Sequence, residues 1–182
     1  PFSFDITDAI ASGDNELAVT VTDPTDTGTQ PRGKQWLTPG GIWYTRTSGI
    51  WQTVWIEPVP SQSIRALTTT SDAATGRISV SALCHWEFAG PPHLEVEVIA
   101  DGKTVAHVTG SAHALDIDVP NPRRWSPDDP FLYEIRARVK NREFVHDEVR
   151  SYAAIRDVRV ANDNSGIPRI LLNGQPIFSY GP

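Results

Sequence analysis

The feature of this 182-residue sequence with the clearest chemical potential is a group of four tryptophans between residues 36 and 55. An indole offers a flat apolar face on which a pyranose ring could stack, and its N–H can donate a hydrogen bond. Trp36 and Trp43 lie in or beside a long polar loop, so we take them as candidate substrate-binding residues, with packing in a core or between domains as the alternative. Trp51 and Trp55 alternate with other large apolar residues, and we expect them to fill a core or a contact between domains.

The sequence lacks the residue spacings that metal-dependent, phosphate-binding or serine-nucleophile chemistry needs. The five histidines are scattered and share no metal-binding spacing with one another or with the single cysteine, Cys84, so we predict no metal site. The sequence contains no glycine-rich phosphate loop, no G-x-S-x-G and no H-E-x-x-H motif. Contact of the tryptophans with a sugar is therefore the kind of site that remains to be considered.

The charge balance and the hydropathy argue against two classes of partner. Sixteen basic and 22 acidic residues give a formal net charge of −6 at pH 7, which disfavours an electrostatic grip on nucleic acid or anionic lipid. No apolar run is long enough to span a membrane, and no secretory leader precedes Pro1, so the compartment stays open. Because the chain begins PFSFDIT and has no methionine, we expect it to be a piece of a longer protein.

The elements that must position these tryptophans are strands and turns, since helical periodicity is nearly absent. Residues 15–23, NELAVTVTD, alternate apolar and polar side chains, which predicts a strand. Residues 24–41 are rich in proline and glycine and have no period, and a loop of that length is usually functional or disordered. Residues 48–57 predict a strand with large apolar groups on both faces. Pro58 and Pro60 end it, which makes a domain boundary plausible there.

A second series of predicted strands begins at Ser63. Residues 94–108, LEVEVIADGKTVAHV, predict a hairpin around Asp101 and Gly102, a pair suited to a tight turn with positive φ. In the tail, Asn173 and Gly174 predict a second turn, between two strands. Residues 131–140, FLYEIRARVK, place apolar side chains on one face and arginines on the other. About seven short strands in about 95 residues match the count and spacing of an immunoglobulin-like sandwich. The predicted fold class is therefore all-β, with two β-sandwich-like units.

Seven segments carry a resemblance to a known family. They are, in order, PFSFDIT, NELAVTVTDPTD, QPRGKQ, GIWYTRTSGIWQTVWIEPVP, WSPDDPFLYEI, SYAAIRDVRV and LLNGQPIF. In this order and at this spacing, the chain resembles glycoside hydrolase family 2, the β-galactosidase, β-glucuronidase and β-mannosidase family. The resemblance covers essentially the whole sequence.

The resemblance implies a domain map and a place in a larger enzyme. Residues 1–59 would be the C-terminal part of a jelly-roll sugar-binding domain, residues 60–157 an immunoglobulin-like β-sandwich, and residues 158–182 the lead-in to a (β/α)₈ catalytic barrel. The parent would hydrolyse terminal β-linked sugars with retention, through two carboxylates about 5 Å apart. In the family those two glutamates lie in the barrel, so we expect no catalytic residue in this chain.

The resemblance also implies one carboxylate that reaches the substrate. In β-galactosidases of the family, an aspartate of the first domain reaches the terminal sugar beside a bound cation. When NELAVTVTDPTD is laid on that pattern, Asp26 takes the matching place, with Asp23 as the neighbouring alternative. An aspartate after Pro-Thr is also an ordinary turn residue. We therefore predict Asp26 as a substrate contact, no cofactor in this chain, and a cation near the sugar subsite of the parent.

Two functions of other classes stay open at this point. A free-standing carbohydrate-binding module predicts measurable affinity of the isolated chain for galactosides, glucuronides or mannosides. An immunoglobulin-like domain that binds a partner protein predicts a linker or a further sandwich after Pro182. Because an incomplete jelly roll would expose unpaired strand edges, we also expect the fragment to self-associate, and the parent could form a homo-oligomer.

Overall fold

The computed structural model describes residues 2–163 and 165–178, and it confirms the all-β class. The chain divides into two compact units, Pro1–Glu57 and Pro58–Pro182, which we call unit 1 and unit 2. In the described residues, no helix is long and apolar enough to cross a membrane. Residues 179–182, the end of the predicted lead-in, lie outside the described part of the chain.

Over residues 2–163 and 165–178, strands account for nearly all of the regular structure, and the exception is a short 3-10 turn at Thr7–Ala9. The strands of the described residues are β1 Gln35–Trp36, β2 Tyr44–Thr45, β3 Ser63–Asp72, β4 Arg77–His85, β5 His93–Ala100, β6 Lys103–Ser111, β7 Ala114–Asp118, β8 Tyr133–Asn141, β9 Phe144–Ala153, β10 Val158–Asn162, β11 Pro168–Leu172 and β12 Gln175–Pro176.

Unit 2 is built around two antiparallel sheets that share one core. The first sheet has the order β3-β4-β7, and the second has the order β6-β5-β8-β9. Alternate residues of β4, β5 and β8 face inward, as the period of two in the sequence predicts. The fully buried aliphatic side chains of the core include Ile78, Val80, Leu94, Val96, Val98, Ile135 and Val139. Burying each contributes about 1.5–3 kcal/mol, so this core holds the unit together.

Cys84 lies at the edge of this core. Its side chain packs against the buried cluster, and burial raises the pKa of the thiol. A raised pKa leaves less of the reactive thiolate at neutral pH, which favours a packing role for Cys84 over a nucleophilic one.

The outer face of the second sheet carries a network that we call the charge ladder. Its members are Glu95, Glu97, Glu134, Arg136, Arg138, Lys140, Glu148 and Arg150. Arg138 lies directly opposite both Glu95 and Glu148 in the strand register, and its guanidinium binds them at 2.6 Å and 2.7 Å. The arginines predicted to point away from the core therefore satisfy the outward carboxylates.

Two turns confirm the predicted turn chemistry. Asp101 and Gly102, between β5 and β6, have φ of 50° and 76°. Asn173 and Gly174, between β11 and β12, have φ of 51° and 82°. Both residues of each pair are left-handed, which Asn, Asp and Gly adopt most readily. The second turn belongs to a third sheet, of order β10-β11-β12.

Unit 1 differs from the strand predictions. β1 and β2 form a two-residue parallel pair, and residues 15–23 and 46–57 belong to no strand. Trp51 is 88% exposed and Trp55 is 68% exposed, so the prediction that they fill a core is wrong, and a contact between domains stays a prediction. A strand persists through hydrogen bonds to a neighbour, and within the described residues these segments have no such ladder.

The strands of unit 2 bear on one segment of the predicted domain map. Unit 2 contains the seven antiparallel strands β3 to β9 within the segment predicted as an immunoglobulin-like sandwich. The assignment of residues 1–59 to a jelly roll, of 60–157 to an immunoglobulin-like domain and of 158–182 to a lead-in stays a prediction.

Candidate functional site

The loop that follows residue 23 is held in shape by local hydrogen bonds. Thr27 N–H and its hydroxyl both donate to the Pro24 carbonyl, at 3.2 Å and 2.9 Å, which closes a turn. Thr25 adopts a left-handed φ of 59°, and the Asp23 Oδ1 accepts its N–H at 2.8 Å. The Gln30 side chain donates to the Thr25 carbonyl at 2.8 Å. Together these bonds fix the backbone on both sides of Asp26.

Asp26 is the most buried carboxylate of this loop, with only 7% of its side chain exposed. Its Oδ2 lies 3.6 Å from Arg32 Nη1 and accepts a long 3.5 Å hydrogen bond from Leu37 N–H. Its Oδ1 is shielded from solvent and has no hydrogen-bond partner among the described residues. A buried polar atom without a partner costs about 1–3 kcal/mol, so Asp26 retains an unused acceptor.

Arg32 links Asp26 to the two tryptophans that the sequence singled out. The Arg32 guanidinium carbon lies 5.4 Å from the centre of the Trp36 ring. Trp36 in turn meets Trp43 edge to face, with 4.4 Å between ring centres and 84° between ring planes. We call Asp26, Arg32, Trp36 and Trp43 the Asp26 cluster. The structure thus brings the three predicted site residues into one chain of contacts.

The short strands of unit 1 position the tryptophans. Trp36 belongs to β1, and Trp43 precedes β2 and exchanges two backbone hydrogen bonds with Gly40, at 3.0 Å and 3.1 Å. Both tryptophans are half-buried, so each presents part of its ring to solvent. Arg32 already covers one face of Trp36, so a sugar ring would have to stack elsewhere on this pair.

Asp23, the alternative to Asp26, serves the loop itself. One of its oxygens accepts the Thr25 N–H at 2.8 Å, and the other accepts the Ser48 hydroxyl at 3.0 Å. Both oxygens are therefore engaged inside unit 1. Asp23 braces the loop against the segment that contains Ser48, and Asp26 is the residue of the pair with a spare acceptor.

Arg32 is the member of the cluster that the sequence did not reveal as a site residue. It lies within the QPRGKQ segment that supports the family resemblance. Its two contacts, however, run across an irregular loop to residues six positions before it and four after it. No period or motif spacing predicts such contacts, so the segment was the only signal for it.

The cluster does not by itself fit the cation that the family resemblance implies. A cation site in a protein needs several oxygen ligands, and no group of three or more His, Cys, Asp or Glu residues occurs in the described part of the chain. The one carboxylate present is beside the positive charge of Arg32 at 3.6 Å, which disfavours a second cation there.

Comparison with known proteins agrees with the segments identified in the sequence. A β-galactosidase from Thermoanaerobacter pseudethanolicus is 24% identical over an alignment that covers 100% of this chain and 25% of the relative. The crystal structure of apo β-glucuronidase from Ruminococcus gnavus is 26% identical and has a TM-score of 0.54, covering 67% of this chain and 20% of that one. The same enzyme with bound D-glucuronic acid gives the same values.

The chain thus spans about a quarter of the length of the galactosidase and a fifth of the solved glucuronidase. The sequence model of one family, glycosyl hydrolases family 2, matches residues 62–156, which is most of the two-sheet sandwich of unit 2 and more than half of the chain. The chain belongs to glycosyl hydrolases family 2.

Proposed function

We propose that this chain is a non-catalytic part of a retaining β-glycosidase that hydrolyses terminal β-linked sugars, with a preference like that of a β-galactosidase. The observation that carries the proposal is the family match over residues 62–156. The relative named as a β-galactosidase aligns with the whole chain, yet three quarters of that relative lie outside the alignment. This leaves ample room elsewhere in the parent for the catalytic carboxylates.

The non-catalytic role is supported by what the Asp26 cluster contains. Retaining hydrolysis of a glycoside needs two carboxyl groups about 5–5.5 Å apart, one as nucleophile and one as acid and base. The cluster has the carboxylate of Asp26 alone, and that carboxylate is paired with Arg32. Such a group can hold a substrate and cannot supply both steps of the reaction.

Asp26 is proposed to contact the sugar through its unused Oδ1. A sugar hydroxyl that donates to this oxygen would satisfy the buried acceptor and so recover the cost of leaving it unpaired. Trp43 and the edge of Trp36 would border the ring, because aromatic side chains suit the apolar faces of a pyranose. Arg32, 3.6 Å from the other oxygen of Asp26, would orient the carboxylate.

A β-glucuronide is the second candidate substrate. The solved structures that the chain resembles are named β-glucuronidases, and one of them holds D-glucuronic acid. Arg32 is 41% exposed, so its guanidinium has room to meet an additional carboxylate. The two candidates differ in one charge on the sugar, which an assay on paired substrates separates.

The test uses the complete protein and the 182-residue chain side by side. Aryl β-galactoside, β-glucuronide and β-mannoside are supplied to each under identical conditions. We expect the complete protein to release the aryl group from the galactoside fastest and the isolated chain to release none. Cleavage by the isolated chain, or no cleavage of any of the three by the complete protein, would refute the proposal.

The isolated chain also separates this proposal from the alternative of a free-standing binding module. Titration with the same three sugars should give no measurable saturation, because the cluster would offer only one side of a subsite. Tight binding by the chain alone would support the module instead.

A further inference from the structure

Three separate segments of unit 2 meet at the side chain of Asn173. Asn173 lies just after β11, Asp157 lies just before β10, and Trp125 lies in the proline-rich connection between β7 and β8. The first two belong to the third sheet and its approach, and the connection belongs to the two-sheet sandwich. A contact among them therefore joins the third sheet to the sandwich.

The amide of Asn173 uses both of its ends in this contact. Its Nδ2 donates to the Trp125 carbonyl at 2.9 Å, and its Oδ1 accepts the Asp157 N–H at 3.0 Å. The backbone N–H of Asn173 donates to the Asp157 carbonyl at 2.8 Å, which extends the ladder between β10 and β11 by one more pair. One residue thus closes the sheet and fastens it to a neighbouring loop.

The Trp125 side of the contact is itself tied down. Trp125 N–H donates to the Ile155 carbonyl at 2.9 Å, and Ile155 is fully buried in the sandwich core. The Arg156 guanidinium carbon lies 4.8 Å from the centre of the Trp125 ring. Asn173 therefore binds a loop whose position is already set by the core.

Asparagine suits this position for two independent reasons. The backbone there has a φ of 51°, a left-handed conformation that Asn tolerates better than most residues. The side chain also supplies one donor and one acceptor in a single planar group. Among the described residues, the strands of the third sheet make only slight contact with the strands of the sandwich, and this amide supplies a link to the sandwich that those strands do not.

We propose that Asn173 is a positioning residue, which fixes the third sheet on the proline-rich connection that contains Trp125. It thereby sets the direction in which the polypeptide leaves the sandwich. The inference rests on the proposed function in one respect: the parent's catalytic part would follow this sheet and take its orientation from it. Loss of the amide would let the third sheet shift, and a displacement of about 1 Å at a reacting centre can cost about 100-fold in rate.

The test compares Asn173→Gly and Asn173→Asp with the matched control Asn141→Ala in the complete protein. Glycine keeps the left-handed backbone and removes the amide, whereas aspartate keeps the acceptor and loses the donor. Asn141 is an exposed asparagine at the end of β8. Hydrogen exchange of the peptides that cover residues 158–172 and 93–100 is measured for each protein, together with kcat and KM on an aryl β-galactoside.

For Asn173→Gly we expect amide exchange over residues 158–172 to accelerate about five- to thirtyfold, with β5 unchanged, because the link that fails is local. For the same variant we expect kcat to fall about tenfold or more, with a smaller change in KM. Asn173→Asp should lie between the wild type and Asn173→Gly in both exchange and kcat. Asn141→Ala should match the wild type in both.

Unchanged exchange over residues 158–172, or equal acceleration in β5, would overturn the inference. Faster local exchange with an unchanged kcat would overturn the positioning role. If the wild-type complete protein cleaved no glycoside, the proposed function would fail on its own, and the exchange measurements would still decide whether Asn173 fixes the third sheet.

Discussion

Replacement of Asp26 by asparagine tests the central residue of the candidate site. Asp26→Asn keeps an oxygen acceptor in place and removes the negative charge. A hydrogen bond to a charged acceptor is worth about 1.5–3 kcal/mol and one to a neutral acceptor about 0.5–1.5 kcal/mol, so the substitution should cost about 1–1.5 kcal/mol of sugar binding. That corresponds to about a five- to tenfold rise in KM.

The same substitution should barely change stability. The ion pair with Arg32 spans 3.6 Å and its arginine is 41% exposed, so solvent screens it and its loss should cost at most about 1 kcal/mol. Steady-state kinetics of the complete protein on an aryl β-galactoside measures the first effect, and thermal denaturation measures the second. Asp14→Asn, at an exposed aspartate of the same unit, is the control.

Values of kcat and KM that both match the wild type would refute a substrate contact at Asp26. It would also be refuted if Asp14→Asn raised KM as much as Asp26→Asn. A large loss of thermal stability together with unchanged kinetics in the folded fraction would assign Asp26 to the loop fold, as in an ordinary turn.

Three further predictions concern stability and association of the 182-residue chain. Ile135→Ala should lower the free energy of unfolding by about 2–5 kcal/mol in urea denaturation, because Ile135 is fully buried, whereas Val160→Ala, at a 73% exposed side chain, should change it by less than about 0.5 kcal/mol. The hydrogen bonds from Arg138 and Lys140 hold the pKa of Glu95 below its ordinary 4.5, so the stability they give is complete above pH 4.5 and is lost as the pH falls through the lower folded value. Thermal melting at descending pH should therefore show a smaller acid loss for Glu95→Gln than for the wild type, and an equal loss would contradict this. Light scattering should show concentration-dependent self-association that Trp51→Glu weakens, since Trp51 is 88% exposed; monomers at high concentration would argue against it.

The strands of unit 2 were predictable because sequence period and burial agree there. Residues 131–140 alternate apolar and charged side chains, and the structure buries Tyr133, Ile135 and Val139 while it exposes the arginines to the outer face. The turns at Asp101-Gly102 and Asn173-Gly174 followed from local φ preferences. Each of these features is decided within a few residues or by one buried face.

The features that the sequence did not reveal depend on partners that are distant along the chain. The alternation around Trp51 and Trp55 indicates a strand, but whether a neighbour pairs with it cannot be read from the segment itself. Arg32 is a site residue because it contacts Asp26 and Trp36, and both contacts cross an irregular loop. The turn at Asn173 follows from its own residue type, whereas the contact of its amide with Trp125 spans 48 positions and no local pattern predicts it.

The charge ladder has a consequence for the protein in solution. Its four acidic and four basic members cancel, so this sheet face contributes nothing to the formal net charge of −6, which resides wholly on the remaining side chains. Added salt will loosen the pairings within the ladder. The overall repulsion between molecules, however, originates elsewhere on the surface, and the ladder presents an approaching molecule with a lattice of alternating sign that attracts neither anions nor cations over long range.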